Sequence, residues 1–273
     1  MSSSSGPPSA CTSIGLVSPV LANSVLEQLL LDQRVLQEVL AMPGQVCTAA
    51  AFGLALLAQR LRASGQRASA QTSAQTGARE IAWLQQEAAV IDAGEPLGQG
   101  LAAFGIEPAR LIFVRLRTER DVLRAALEAA RCSALGAVVI ELVKPIDLTA
   151  SRRLKLAAEK SGVPLLLLRH PGTLAFSAAS NAAPNAAQVR WQVGAAPSAP
   201  IRSSTHLPAR GEPSFDVPPA FDGPIVFDVT VLKHPAGLSQ TRFLIEWDRD
   251  RHVFAPALPR PVAAIPAGRP LAA

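Results

Sequence analysis

Residues 137–168 read AVVIELVKPIDLTASRRLKLAAEKSGVPLLLL, and this stretch decides the predicted fold. Two short apolar runs, Ala137–Leu142 and residues 165–168, have the composition of buried strands. Between them, residues 149–161 have the apolar spacing of an amphipathic helix. A strand, a crossover helix and a second strand form the unit from which parallel sheets are built, so this stretch predicts an α/β fold.

The same alternation continues on the amino-terminal side of this unit. Residues 81–84 and 111–114 are further strand candidates, and residues 97–104 and 119–132 have helical patterns. Continuously apolar strands are usually covered on both faces, as in parallel sheets that carry a helical layer on each side. We therefore expect a mostly parallel sheet flanked by helices.

Three segments lie upstream of these elements. Residues 24–40 have apolar side chains at helical spacing, which predicts one or two short amphipathic helices. Residues 48–62 predict a buried helix that enters the core. Residues 63–79 are small and polar without a period, so we expect a flexible loop there.

The carboxyl-terminal part has a different character. Residues 189–193 alternate like a strand, and residues 225–233 and 241–247 predict an antiparallel hairpin. Residues 194–224 are rich in Pro, Ser and Gly and predict a second flexible loop. The segment from residue 249 is rich in Pro and Arg, so we expect a disordered tail.

These patterns divide the chain into three parts. We expect residues 1–23, rich in Ser, Pro and Gly, to be disordered, residues 24–248 to form one α/β domain, and residues 249–273 to be the tail. The chain has 273 residues, 49% of them apolar, and a mean hydropathy of +0.24, which excludes a fully disordered protein.

The net charge and the cysteine content limit which binding partners and metal sites we expect for this protein. The net charge of +5 is compatible with binding to nucleic acid or to an acidic partner. Three widely spaced cysteines and four histidines form neither a disulfide framework nor a zinc site, and each cysteine is expected to be a small buried residue. The amino terminus lacks the charged region of a secretory signal, and the longest apolar stretch, residues 46–58, is too short to span a bilayer. These features predict a soluble, cytoplasmic protein.

The order of elements and several short sequences resemble a known family. The sequences are PARLIFVR at residues 108–115, LTASRRL at residues 148–154, VTVL at residues 229–232 and FLIEW at residues 243–247. Over about residues 24–250 the chain resembles the RecA-type ATPase core, and in particular the ImuA family of bacterial mutagenesis cassettes. The resemblance implies a RecA-like, mostly parallel sheet with a carboxyl-terminal antiparallel hairpin.

The nucleotide-binding motif of the RecA-type core is degenerate here. A phosphate-binding loop requires small residues, a Lys for the β- and γ-phosphates and a Ser or Thr hydroxyl for Mg²⁺. The corresponding segment, residues 44–52, reads GQVCTAAAF, with Gly44 and Thr48 as its remaining motif-like positions. Aligning residues 54–56 with the RecA helix puts Ala51 in place of the Lys and Phe52 in place of the hydroxyl. We therefore expect no cofactor and little or no ATP turnover, with a plain loop entering a core helix as the simplest interpretation and residual ATP binding as the alternative.

Two carboxylates lie where the RecA resemblance implies catalytic acids. Glu87 follows the strand at residues 81–84, the place of a water-activating Glu, and Glu141 follows the strand at residues 137–140, the place of a Mg²⁺-binding acid. The alternatives are that Glu87 is a solvated surface residue and that Glu141 has structural partners such as Lys144 or Arg153. No metal site is expected, and we interpret Glu87 and Glu141 as degenerate RecA-type acids.

Basic residues near the predicted strand ends are the candidates for nucleic-acid contact. Open α/β sheets bind ligands at that edge, and Arg or Lys there can pair with phosphates. A solvated charged surface is the alternative interpretation. The candidates are Arg115, Arg152, Arg153, Lys155 and Arg169.

The ImuA resemblance implies a function in SOS-induced translesion synthesis and mutagenesis. It implies a RecA-like accessory protein that acts with an ImuB-like Y-family polymerase homologue and an error-prone DnaE-type polymerase, with weak contact to DNA and with RecA as a further partner. Two alternatives stay open. One is a DNA-stimulated ATPase of DNA repair that uses Glu87 and Glu141, and the other is an SOS cell-division inhibitor.

Overall fold

The computed structural model describes residues 35–71, 79–170, 183–198, 224–237 and 239–257. Its strands are β1 (Leu36–Ala41), β2 (Ile81–Gln86), β3 (Leu111–Leu116), β4 (Ala137–Leu142), β5 (Leu165–Arg169), β6 (Val189–Ala195), β7 (Ile225–Lys233), β8 (Thr241–Asp248) and β9 (Val253–Pro256). Its helices are α1 (Val46–Gln71), α2 (Glu87–Ala93), α3 (Gly98–Ala103), α4 (Glu119–Arg131) and α5 (Leu148–Ser161), with a 3-10 turn at Pro108–Arg110.

Within these residues all nine strands form one sheet in the order β3-β2-β4-β5-β1-β6-β7-β8-β9. The pairs from β3 to β6 are parallel, and the pairs from β6 to β9 are antiparallel. This topology confirms the predicted fold class of a mostly parallel sheet with helices and a carboxyl-terminal antiparallel hairpin.

A separate apolar core lies on each face of the sheet. On one face, α1 and residues of α3 pack against alternate side chains of β1, β2, β4, β5 and the antiparallel strands. On the other face, α4 and α5 pack against the intervening side chains of β1, β2, β4 and β5. Because both faces of the central strands are covered, β1, β4 and β5 are buried along their whole length.

Residues 36–41 form the central strand β1, so the prediction of helices over residues 24–40 is wrong for this part. Leu36, Val39 and Leu40 match helical spacing, but a strand buried on both faces has no alternation that would distinguish it from a helix. Residues 24–34 lie outside the described part of the chain.

Helix α1 begins at Val46 and continues to Gln71, so the predicted loop at residues 63–79 is wrong for residues 63–71. Residues 63–71 include Ala, Gln and Arg, which have high helix propensity, and a helix that starts in a core can extend past it. Residues 72–78 lie outside the described part.

The predicted disordered tail contains the last described strand, β9, which pairs with β8. The Phe254 ring lies 5.1 Å from the Trp247 ring and 5.4 Å from the Phe52 ring, so the strand closes over the core. The contact of Phe254 with Phe52 joins positions distant in sequence, and local composition does not reveal it. The predicted disordered segment 1–23, residues 199–223 of the predicted loop and residues 258–273 of the tail lie outside the described part.

One described helix has the length and apolar composition to cross a membrane, namely Val46–Gly65 within α1. This stretch is longer than the apolar run recognised in the sequence. Phe52, Ala55 and Leu57 within it are buried against the sheet, as expected for the core helix of a globular domain.

Candidate functional site

The carboxyl ends of the parallel strands form the edge at which ligands bind in open α/β sheets. In this chain that edge carries the β1–α1 loop at residues 42–45, the start of α2 directly after β2, and the ends of β4 and β5. We describe these parts in turn because the predicted nucleotide-binding and acidic residues lie on them.

The β1–α1 loop is fastened to the neighbouring strand β6. The Met42 backbone N–H donates to the Val193 carbonyl at 2.9 Å, and Gln45 Oε1 accepts from the Ala195 backbone N–H at 2.8 Å. The Thr48 hydroxyl donates to Gln45 Oε1 at 3.4 Å. These hydrogen bonds fix the β1–α1 loop to β6 and to the first turn of α1.

Helix α1 begins at Val46, two residues earlier than the sequence predicts. Ala51 and Phe52 are therefore further inside the helix than expected. Both residues lie beyond the first turn of the helix, outside the loop that contains Gly44. The Phe52 side chain is fully buried, with ring centres 5.7 Å from Trp191 and 5.5 Å from Phe227. The prediction that Phe52 fills a metal position is therefore corrected, since its ring belongs to the core.

The first helical positions of α1 are Val46 and Cys47, and residues 42–52 contain no lysine. A phosphate-binding loop uses a lysine at this end of the helix to contact the β- and γ-phosphates. This part of the chain therefore lacks the cation that the motif requires.

Glu141 lies near the end of β4 and is 2% exposed. Trp83 Nε1 donates to its Oε2 at 2.7 Å, and His170 Nε2 lies 2.7 Å from its Oε1. The carboxylate joins β2, β4 and the residue that follows β5. Neither Lys144 nor Arg153 is its partner, so those expected structural contacts are corrected, and sequence reasoning missed the roles of Trp83 and His170.

Glu87 is exposed at the first position of α2, directly after β2. A carboxylate in the first turn of a helix interacts favourably with the partial positive charge of that end. The sequence did not predict α2, which is seven residues long and begins without a side-chain cap. Glu87 and Glu141 therefore differ sharply in environment, one in solvent and the other inside the sheet.

An apolar cleft of about 250 Å³ lies between the start of α1 and the α2–α3 segment. The described residues that line it include Glu141 but no Lys or Arg, and Gln85 Nε2 is already bonded to the Gly94 carbonyl at 2.8 Å. Most of the wall is apolar, and no described basic side chain lines it that could neutralise the charge of a phosphate. The apolar lining of the cleft consists of Ala50, Ala51, Leu54, Trp83, Ala93, Pro96, Leu97, Leu101 and Phe104.

The predicted basic residues do not form one surface. Arg115 on β3 is paired with Glu95, and Lys155 Nζ lies 3.3 Å from Glu159 Oε1. Arg152 and Arg153 are exposed near the start of α5. The predicted contact of Arg169 with nucleic acid is corrected below, because its side chain is inside the protein.

Arg169 is 1% exposed and belongs to a buried charged cluster around Glu38. Arg169 Nη1 lies 3.6 Å from Glu38 Oε1, while Arg190 Nε and Asn185 Nδ2 donate to Glu38 Oε2. Burial lowers the pKa of the Arg169 guanidinium, although the charge of Glu38 acts in the opposite direction. Sequence reasoning missed Glu38 and Arg190, because the two residues are 152 positions apart in the chain and meet only in the folded sheet.

Lys233 at the end of β7 lies beside this cluster. Its Nζ donates to the Ala187 carbonyl at 2.7 Å. Burial, together with the charge of Arg190, lowers the pKa of Lys233, and Glu38 acts in the opposite direction.

The described residues form neither a metal-binding group nor a cysteine pair. Among them, no group of three or more His, Cys, Asp or Glu side chains could hold a metal ion. Cys47 and Cys132 are free and exposed, which corrects the expectation that they are buried, while Cys11 lies outside the described part.

The strand order and helix layers define an α/β protein with a mostly parallel sheet and a carboxyl-terminal antiparallel hairpin. No family model matches the chain. It is 40% identical over 103 residues to Protein ImuA of Caulobacter vibrioides, in each of two strains, and the match covers 37% of this chain and 42% of the relatives. This similarity to ImuA confirms the resemblance predicted from sequence. The matched segment spans less than half the length of these relatives.

Two solved structures are similar to parts of the fold. The RadB recombinase matches with a TM-score of 0.47 and 12% identity, covering 82% of this chain and 92% of that protein. SulA from Pseudomonas aeruginosa matches with a TM-score of 0.34 and 20% identity, covering 49% of this chain and 97% of that protein.

Proposed function

We propose that this protein is a RecA-like accessory protein of the bacterial response to DNA damage. In this proposal it acts as an adaptor in SOS-induced translesion synthesis and mutagenesis in the cytoplasm. Its partners are an ImuB-like Y-family polymerase homologue and an error-prone DnaE-type polymerase. The observation that carries the proposal is the 40% identity to ImuA over 103 residues.

The site supports an adaptor role over an ATPase role. The start of α1 lacks a lysine, and the cleft beside it is mostly apolar. Both oxygens of Glu141 contact side chains of the same chain. A Mg²⁺ ion binds through oxygen ligands, so it would compete with these contacts for the carboxylate. In this proposal the chain supplies binding surfaces and does not hydrolyse ATP.

The function can be tested by deleting the gene and complementing the deletion. We expect the deletion to lower the frequency of mutations induced by DNA damage, and the wild-type chain to restore it. Glu87→Gln separates the two roles, because an adaptor with this variant restores mutagenesis fully, whereas a DNA-stimulated ATPase that uses Glu87 does not. A tagged full-length chain should recover the two polymerases from damaged cells.

Two results count against the proposal. Unchanged damage-induced mutagenesis in the deletion strain removes its basis. Filamentation of undamaged cells on overexpression, without any effect on mutagenesis, identifies a cell-division inhibitor instead.

A further inference from the structure

A groove of about 600 Å³ lies between helices α4 and α5 on the face of the sheet opposite α1. Both helices begin at the carboxyl edge of the sheet, after β3 and β4. Thr118 and Asp147 cap them by accepting hydrogen bonds from the backbone N–H groups of Asp121 and Ala150. The groove therefore runs from the two positively polarised helix ends along the surface of the helical layer.

The floor of the groove is apolar and its rims are basic. Leu123 and Leu127, both partly exposed, form the floor above Leu154, which is 2% exposed. Arginines stand on both sides, Arg120 and Arg124 on α4 and Arg153 on α5, and all three are exposed. Glu119 is the one acidic residue among the lining side chains of this groove, and it lies in the first turn of α4.

Several other basic residues on the described strands and helices form ion pairs with carboxylates. Examples are Arg115 with Glu95, Arg131 with Glu128, Lys155 with Glu159 and Arg242 with Asp228. Within the described ranges, the three groove arginines take part in no such ion pair. The groove thus concentrates positive charge that the described part of the chain does not neutralise, next to an apolar floor.

We propose that the α4–α5 groove binds an acidic amphipathic helix of a partner protein. Leu or similar side chains at positions i, i+3 or i+4 and i+7 of such a helix would cover the leucine floor. Its flanking Glu or Asp side chains would pair with the arginines, for which bidentate Arg–carboxylate contacts are well suited. A nucleic-acid backbone would use the arginines but leave the leucine floor uncovered, so the combination favours a peptide. This proposal does not rest on the function proposed above.

The test uses the purified full-length chain and a displayed library of randomised 16-residue peptides. We expect the selected pool to be enriched in apolar residues at helical spacing flanked by Glu and Asp. One selected peptide, labelled with fluorescein, is then titrated against wild type, Arg120→Glu, Arg124→Glu and Arg153→Glu. Each substitution should weaken binding roughly fivefold or more, and added salt should weaken it as well.

The matched control is Lys160→Glu, which makes the same charge reversal at an exposed position of α5 outside the groove lining. It should leave the affinity unchanged, and circular dichroism and thermal melting establish that every variant is folded. A selected pool without acidic enrichment overturns the proposal, as does a peptide whose binding survives all three groove substitutions. Labelled oligothymidylate tests the alternative ligand. If no acidic peptide is selected, and the oligothymidylate binds wild type but loses affinity for the same three variants, the groove is assigned to nucleic acid instead.

Discussion

Glu141 illustrates how one side chain can match a catalytic position in sequence and serve the fold in the structure. It is buried between Trp83 and His170, and each of its oxygens has one of them as a partner. A buried carboxylate is tolerated only when such partners compensate for its lost hydration. Glu141 therefore links three strands at the edge of the sheet, and its removal affects stability before it affects any chemistry.

We expect Glu141→Ala to lower the free energy of unfolding by about 2–4 kcal/mol, because the Trp83 indole N–H and His170 lose their partner inside the protein. Urea unfolding followed by Trp fluorescence measures the change. Glu87→Ala is the control, since Glu87 is exposed and its loss should cost less than about 1 kcal/mol. Equal effects of the two substitutions would show that the Trp83–Glu141–His170 contacts are not stabilising.

Lys233 gives a prediction about pH. Its pKa in the folded state is lowered from 10.5, with burial as the main cause. Between the folded and the unfolded pKa, the unfolded chain binds more protons, so stability attributable to this group rises with pH up to about 10.5 and is flat at lower pH. We expect this rise to be present in wild type and absent in Lys233→Met.

The measurement is urea unfolding from neutral pH to the alkaline end of that window, comparing wild type with each variant. Lys160→Met controls for the loss of a lysine from the surface. If the difference between wild type and Lys233→Met does not change with pH, the partial desolvation of the Lys233 ammonium group next to Arg190 has no effect on folding.

At the scale of elements, α1 is held to the sheet by a close approach at Gly53. A Cβ atom at this position would lie 2.8 Å from Leu168 Cδ2 and 3.0 Å from Leu166 Cδ2. The same helix contains Gly65, where a Cβ would meet no atom within 4 Å. Glycine therefore has opposite consequences at the two positions, since it permits packing at one and only weakens the helix at the other.

We expect Gly53→Ala to destabilise the protein by about 1–3 kcal/mol through overpacking. Gly65→Ala should instead stabilise it by about 0.5–1 kcal/mol, because alanine has the higher helix propensity. Thermal melting of the two variants beside wild type measures the contrast. Two shifts of the same sign would contradict the close packing of α1 against β5.

At the scale of the whole molecule, the parallel and antiparallel halves of the sheet meet at β1 and β6. On one face, the rings of Phe52, Trp191, Phe227 and Phe254 join α1 to the antiparallel strands. On the other face, Glu38 of β1 lies between Arg169 of β5 and Arg190 of β6. One carboxylate thus compensates two buried guanidinium groups across three neighbouring strands.

We expect Glu38→Gln to lower the free energy of unfolding by about 3–5 kcal/mol, because it leaves two buried positive charges without their counter-charge. Equilibrium unfolding in urea gives the value. Glu246→Gln is the control in another strand, β8, where the side chain is only half-buried and a change within about 0.5 kcal/mol is expected. If Glu38→Gln lowered the free energy of unfolding by no more than Glu246→Gln, the charged cluster around Glu38 would not be needed to join the parallel and antiparallel halves of the sheet.

The amino-acid sequence by itself determined the fold class, most element positions and the resemblance to ImuA. Apolar runs of four residues alternate with amphipathic helices from residue 81 to residue 169, and such local patterns depend only on neighbouring residues. The lack of a lysine in residues 42–52 is likewise visible without a structure.

The tertiary structure decided which polar residues meet. Trp83 and Glu141 lie on different strands and His170 directly follows a third, while Glu38, Arg169 and Arg190 come from three strands. Their contacts join residues far apart in the chain. The strand character of β1 and β9 was also decided by packing, because a strand buried on both faces and a short edge strand have no pattern of their own. Local periodicity records which side chains are apolar, whereas the compensation of a buried charge depends on partners that only the folded sheet brings together.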